Sequence, residues 1–197
     1  MSVNYMKHIL LFFFHKNVKF YIIILFIIAI IPPSISILIE NPPLPQTSDQ
    51  FDFHLMATSF LEGKGLRSNA MVADVVALPN SRHPLYPFFI ALIYFFTNKS
   101  IMAVKIIQIL IHGLTCIVIF LITEKLFTHR LASFGAALIW ALYPLAVYHS
   151  ITLFSETLLT FLLVASVFFL LKVGENYQTR NIILSGLFLG LTALTKS

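Results

Sequence analysis

Charge is scarce in this sequence. Of its 197 residues only 11% are Asp, Glu, Lys or Arg, while 58% are apolar or aromatic; an ordinary soluble domain carries about 25% charged residues. The mean hydropathy is +0.90. That shortage excludes a soluble globular domain, and it excludes disorder, which combines low hydrophobicity with high net charge. Cysteine is scarcer still. Cys116, inside an apolar run, is the single one, so neither a disulfide scaffold nor a paired-cysteine metal site can form. No glycine-rich phosphate loop, nucleophile elbow or zinc-ligand spacing occurs. What is abundant is long apolar runs, the pattern of an all-α, polytopic membrane helix bundle. The basic excess, 13 Lys/Arg against 8 Asp/Glu, then reads as a topology signal. The expected partner is the lipid bilayer and not nucleic acid.

About five spans are expected: Phe20–Ile39, Ile101–Ile122, Leu131–Tyr148, Thr157–Val173 and Asn181–Thr195. A sixth run, Pro84–Phe96, reaches only about 20 Å at about 1.5 Å per residue, which suits an interfacial or re-entrant helix. The first run is too long for a signal-peptide core and lacks a small-residue cleavage site, so it reads as a retained anchor. Pro32-Pro33 is expected to kink it or to end its regular part.

Short basic loops stay on the cytoplasmic side. If Pro84–Phe96 does not cross, that side holds Lys7, Lys16, Lys19, Lys125, Arg130, Lys172 and Arg180. The outer side then keeps Lys64, Arg67, Arg82, Lys99 and Lys196, with Lys105 inside a span near it. If it crosses, the balance reverses. The non-crossing arrangement therefore wins, with a cytoplasmic N-terminus and a first outer loop over about residues 40–100. That loop opens on the extended Asn41-Pro-Pro-Leu-Pro45. Next, Phe53, Met56, Ala57 and Phe60 recur at helical spacing over Phe51–Leu61, the pattern of an amphipathic helix lying on a membrane surface. Gly63-Lys-Gly65 ends it. The 1–197 stretch reads as one transmembrane domain.

Several polar residues need an explanation. Asp49 sits where the surface helix starts, as an N-cap with Asp52 in the first turn, or as a carboxylate held at the membrane boundary to act as a general base. Lys105 and Glu156 lie near the outer ends of spans. Lys105 reads as a snorkelling or a functional cation. Glu156, beside Ser155, reads as a helix-start charge or as a site residue. Arg82-His83-Pro84-Leu85-Tyr86-Pro87 is a turn into the short helix, or an Arg/His pair for a phosphate. Gln108 and His112, one turn apart, read as interhelical hydrogen-bonders. Trp140, Tyr143 and Tyr148 read as an aromatic belt.

In this order the features resemble the GT-C membrane glycosyltransferases, glycosyltransferase family 39-like, of the protein O-mannosyltransferase and aminoarabinose-transferase type. The family has an Asp after the first span, an aromatic and a small residue at four-residue intervals, then Leu-x-x-Gly-x-Gly. Here that is Asp49, Phe53, Ala57 and Leu61-Glu62-Gly63-Lys64-Gly65. Arg-x-Pro-x-Tyr-Pro is matched by Arg82 to Pro87, and the basic residue before an apolar pair and Gln by Lys105-Ile-Ile-Gln108. The Tyr-Pro is Tyr143-Pro144, and the Ser-Glu opening the fourth span is Ser155-Glu156. The closing Gly-x-x-x-Gly-Leu-x-x-Leu-Thr-Lys is Gly186 to Lys196. Phe53 replaces the family's usual Tyr, Lys105 its usual Arg, and Gln50 follows Asp49 where a second acid is common.

The resemblance implies the N-terminal portion of a longer GT-C module that transfers a sugar from a polyprenyl-phosphate donor, with inversion. The acceptor would be a lipid, glycan or protein at the outer face of a membrane, in all expectation a bacterial inner membrane. Asp49 would be the catalytic base, and Lys105, Arg82, His83, Tyr86 and Glu156 would bind substrate. The lipid-linked sugar is a substrate and no cofactor is implied; a divalent metal stays open. The competing readings are a truncated, inactive remnant of such an enzyme and a non-enzymatic membrane transporter subunit. The latter predicts broken midplane helices and repeat symmetry.

Overall fold

The structure, a computed structural model, describes residues 18–39, 49–67, 83–127 and 129–196. Among the described residues every regular element is helical: α1 Val18–Ile39, α2 Asp49–Leu61, α3 Leu85–Thr97, α4 Ile101–Phe127, α5 Arg130–Leu142, α6 Pro144–Ser150, α7 Glu156–Glu175 and α8 Thr179–Thr195. Three of them, α1, α4 and α7, are long and apolar enough to cross a membrane, and α5 with α6 makes a fourth if the bent pair is one span. The protein is thus an integral membrane helix bundle. The expected fifth span, α8, has 17 residues and falls among the shorter apolar helices together with α3, which has 13.

Helix α1 keeps a stripe at four-residue intervals, Tyr21, Leu25, Ala29, Pro33 and Ile37, against the bundle. Ile23, Ile27, Ile31 and Ile35 face outward. Of the two outcomes expected at Pro32-Pro33, a kink or an end, the structure overturns the second. The helix continues to Ile39, and the Ser36 hydroxyl bonds the Pro32 carbonyl at 3.0 Å. Where α1 meets α4, a Cβ on Gly113 would lie 2.7 Å from the Phe26 ring, so the glycine sets how closely the two helices approach.

Tyr143-Pro144 does interrupt its span. Proline disfavours helical geometry in the residue before it, and Tyr143 is extended at φ −66°, ψ 116°. The α5 and α6 axes consequently meet at a bend of 56°. On the far side of the bundle, α7 and α8 pack as an antiparallel pair. Ser166 and Ser185 donate their hydroxyls to each other's backbone carbonyls at 3.0 and 3.1 Å.

The amphipathic α2 buries Gln50, Phe53, Met56 and Ala57 and packs against α3. Phe53 stands edge-on to Tyr86 at 4.8 Å, Phe60 to Phe88 at 4.7 Å, and His54 Nδ1 lies 2.8 Å from the Tyr94 hydroxyl. Asn98 and Lys99, both with positive φ (51° and 61°), turn the chain from α3 into α4.

The charged groups mark the two ends. Lys125 pairs with Glu175, Arg130 with Glu124 at 3.2 Å, and Lys172 lies over the Phe168 ring at 4.7 Å, all at one end. Glu156 pairs with Lys196 at 2.7 Å at the other. The first outer loop was expected to carry Arg82 and the Asn41–Pro45 strut; both lie outside the described residues.

Candidate functional site

Start from α2. Its first residue is Asp49, which is exposed, and Asp52 shares the first turn. Gln50, next along, is buried, and its Oε1 accepts the Leu153 backbone N–H at 3.1 Å. Leu153 belongs to the 151–155 turn that leads into α7, so this one bond holds the start of α2 against the segment preceding Glu156. The resemblance marked Gln50 only as a departure. A sequence signal for it existed: Gln50, Phe53 and Ala57 share the i, i+3, i+7 face, and a polar residue on an apolar stripe requires a partner.

A second glutamine fixes the same turn from α4. The buried Gln108 donates through Nε2 to the carbonyls of His149 (3.1 Å), Ser150 (3.4 Å) and Thr152 (2.6 Å). Its Oε1 accepts the Tyr86 hydroxyl at 2.5 Å. Tyr86 is fully buried. It thereby joins the Arg-x-Pro-x-Tyr-Pro segment to the Lys-Ile-Ile-Gln segment, and its hydroxyl is already taken up within the protein. Lys105, one turn before Gln108, is 5% exposed and therefore sits on the inward face of α4, near its first turn. His83 is half-buried just ahead of α3.

Glu156 opens α7. Its Oε1 accepts from Lys196 Nζ at 2.7 Å, so the basic residue closing the Gly186–Lys196 motif returns to the Ser-Glu motif. Lys196 was counted in the sequence as a loop charge; its docking depends on the pairing of α7 with α8. Glu156 Oε2 is buried without a hydrogen-bond partner among the described residues, as are Thr157 Oγ1 and Trp140 Nε1. Trp140 corrects the aromatic-belt expectation. Its indole N–H points into the bundle, 5.9 Å from His112 ring to ring, while Tyr143 and Tyr148 are each 47% exposed, as a belt requires. His112 Nε2 lies 3.4 Å from the Ala141 carbonyl, the interhelical role its spacing suggested.

Two groups of the α2 segment are electrostatically perturbed. Burial, and then the Lys99 charge, push His54 below its ordinary value. Hydrogen bonds from Lys64 and Lys99 hold the exposed Glu62 carboxyl low. Among the described residues no three His, Cys, Asp or Glu side chains converge as a metal site.

Asp49, Lys105 and Glu156 thus belong to three elements whose ends are tied together by Gln50, Gln108 and Tyr86. Two carboxylates and a cation at one end of an apolar bundle are compatible with transfer of a group from an anionic leaving group. The family model described as dolichyl-phosphate-mannose-protein mannosyltransferase matches residues 81–197. No curated protein and no solved structure matches the chain.

Proposed function

The chain belongs to the dolichyl-phosphate-mannose-protein mannosyltransferase family of membrane glycosyltransferases, and on that premise we infer that it uses Asp49 as a base in sugar transfer. The family implies a lipid-linked sugar donor. The donor read here is a polyprenyl-phosphate sugar, and the acceptor presents a hydroxyl or amine at the outer face of the membrane.

Asp49 takes the acceptor proton while the acceptor oxygen or nitrogen attacks the anomeric carbon. The bond from that carbon to the phosphate oxygen breaks, and its electron pair leaves with the polyprenyl phosphate. A phosphate is already a weak base. No carboxylic acid is needed to protonate it, in contrast to the acid–base pair of ordinary glycoside hydrolysis. It needs positive charge in a water-poor site, where such charge is worth more than in water. Lys105 fits that role by its burial, with Arg82 and His83 as further cations. Glu156, held on one side by Lys196, orients the acceptor. A single displacement inverts the anomeric carbon.

One observation carries this reading. The Gln50–Leu153 hydrogen bond joins the start of α2, with Asp49, to the turn that presents Glu156, while Gln108 joins the same turn to the α4 face that bears Lys105.

The test is turnover by the purified full chain on a radiolabelled polyprenyl-phosphate sugar, with the product's anomeric configuration read by NMR. Inverted product is expected. Lys105→Gln lowers release of the polyprenyl phosphate by about 10²–10³-fold, the usual cost of removing one charge-stabilising donor, and Lys105→Arg recovers part of it. Retained configuration, or full activity in Lys105→Gln, overturns the mechanism.

A further inference from the structure

At the bend between α5 and α6 a small cavity of about 30 Å³ opens, lined by His112, Thr115, Trp140, His149, Glu156 and Thr157 among others. The chain bends here by 56° at Tyr143-Pro144, and the small Ala146 also lines the space.

Three of the lining residues carry the buried, unpartnered polar atoms noted above: Trp140 Nε1 from α5, and Glu156 Oε2 and Thr157 Oγ1 from α7. Buried polar atoms almost always have partners. Three orphans on one small cavity, from two elements, mark a place for a missing group. Their chemistry restricts it. The indole N–H only donates, the carboxylate oxygen only accepts, and the threonine hydroxyl does either. An apolar group satisfies none of them. A carbonyl or phosphate oxygen has no proton for Glu156, and an ammonium has no lone pair for Trp140. A hydroxyl accepts from Trp140, donates to Glu156 and meets Thr157 as well. The volume agrees, because about 10–15 Å³ is enough to seat one water-sized group.

We propose that this pocket is a subsite for a single hydroxyl group, held between the Trp140 indole N–H and Glu156 Oε2 with Thr157 as third partner. The hydroxyl comes either from a sugar substrate or from water. The sugar source rests on the transferase reading; the subsite does not.

Trp140 is the sole tryptophan of the chain, so its fluorescence reports on this one place. The purified full chain in lipid nanodiscs is titrated with methyl mannopyranoside, and separately with tetrahydropyran, a ring of the same size without hydroxyls. A sugar occupant gives a saturable change in Trp140 emission with the mannoside and none with tetrahydropyran. Thr157→Val weakens that binding at least tenfold and Thr157→Ser restores it. A water occupant gives no mannoside response, but Thr157→Val alone moves the ligand-free emission to the blue and Thr157→Ser does not. Either result supports the subsite and identifies the source. Emission that ignores the mannoside and is equal in wild type and Thr157→Val overturns it. The titration involves no turnover, so its failure is distinct from a failure of the transferase reading.

Discussion

The side-chain amide of Gln108 meets Tyr86 on one side and three consecutive-turn carbonyls, those of His149, Ser150 and Thr152, on the other. Two of these carbonyls end the short helix α6, where intrahelical partners run out. Gln108→Leu keeps the side chain's approximate size but leaves the buried Tyr86 hydroxyl and these carbonyls without it. Orphaning a buried group costs about 1–3 kcal/mol, and a chain of this size loses about 2–4 °C per kcal/mol. Thermal unfolding in detergent should therefore fall by roughly 2–12 °C, and an unchanged midpoint would remove Gln108 from this role. That Gln108 and His112 would bond between helices was legible in their one-turn spacing. Their partners were not, because the accepting carbonyls are free only where α6 ends at Ser150 and the chain turns into α7.

His54 supplies a pH test at the same scale. Its value is lowered in the folded protein by burial and by Lys99, so the fold favours the neutral ring. The contribution is complete above the ordinary histidine value of about 6.5 and is lost as pH falls through the lowered folded value. Hydrogen exchange of the α2 amides should accelerate as pH drops below about 6.5, relative to the intrinsic rate. Tyr94→Phe, which removes the 2.8 Å partner, should make α2 exchange faster already at neutral pH. Exchange of α2 that follows the intrinsic rate throughout would contradict the His54–Tyr94 tie.

Among the elements, the long apolar runs of α1, α4 and α7, the amphipathic period of α2 and the shortness of α3 were readable, because each depends on local pattern and length alone. Two features were not. Helix α1 runs through Pro32-Pro33, with the stripe through Pro33 packed on the bundle. The inward turn of Trp140 depends on which face of α5 meets α4. A hint lay in Ser133, Ala137 and Ala141, small buried residues that share its side of the helix.

The α1–α4 approach gives the prediction for this scale. Gly113→Ala places a Cβ 2.7 Å from the Phe26 ring, and overpacking of this kind typically costs about 1–3 kcal/mol. Gly186→Ala has open space around it and, inside a helix, should melt at or above wild type, by up to about 1 kcal/mol of added stability. If Gly113→Ala melts with or above wild type as well, the close approach of α1 and α4 is wrong.

For the whole molecule, the pairings of Lys125 with Glu175 and of Glu156 with Lys196 separate two ends. The basic-loop count assigns the first to the cytoplasm. In a Cys116→Ala background, Lys64→Cys should react with an impermeant thiol reagent in intact cells. Tyr177→Cys, at a position 86% exposed, should react only after the membrane is opened. The reverse pattern would invert the topology and move the site to the other face. The candidate site was readable only as a set of separate motifs in order. What the sequence did not contain was their assembly through Gln50, Gln108 and Lys196, because each of these bonds joins segments far apart in the chain.

The central claim, that Asp49 is the base, is tested most directly by turnover of Asp49→Asn beside Asp52→Asn in the full chain. Asn favours a helix start about as well as Asp, so the first change keeps the cap and removes the negative charge and the proton acceptor. General-base catalysis is worth about 10²–10⁴-fold, and Asp49→Asn should lose at least about 10²-fold in kcat with membrane insertion intact. Asp52→Asn should lose only what a helix-start charge supplies, about 0.3–1 kcal/mol. Equal, small losses in the two variants would make Asp49 a helix-start residue and contradict the mechanism.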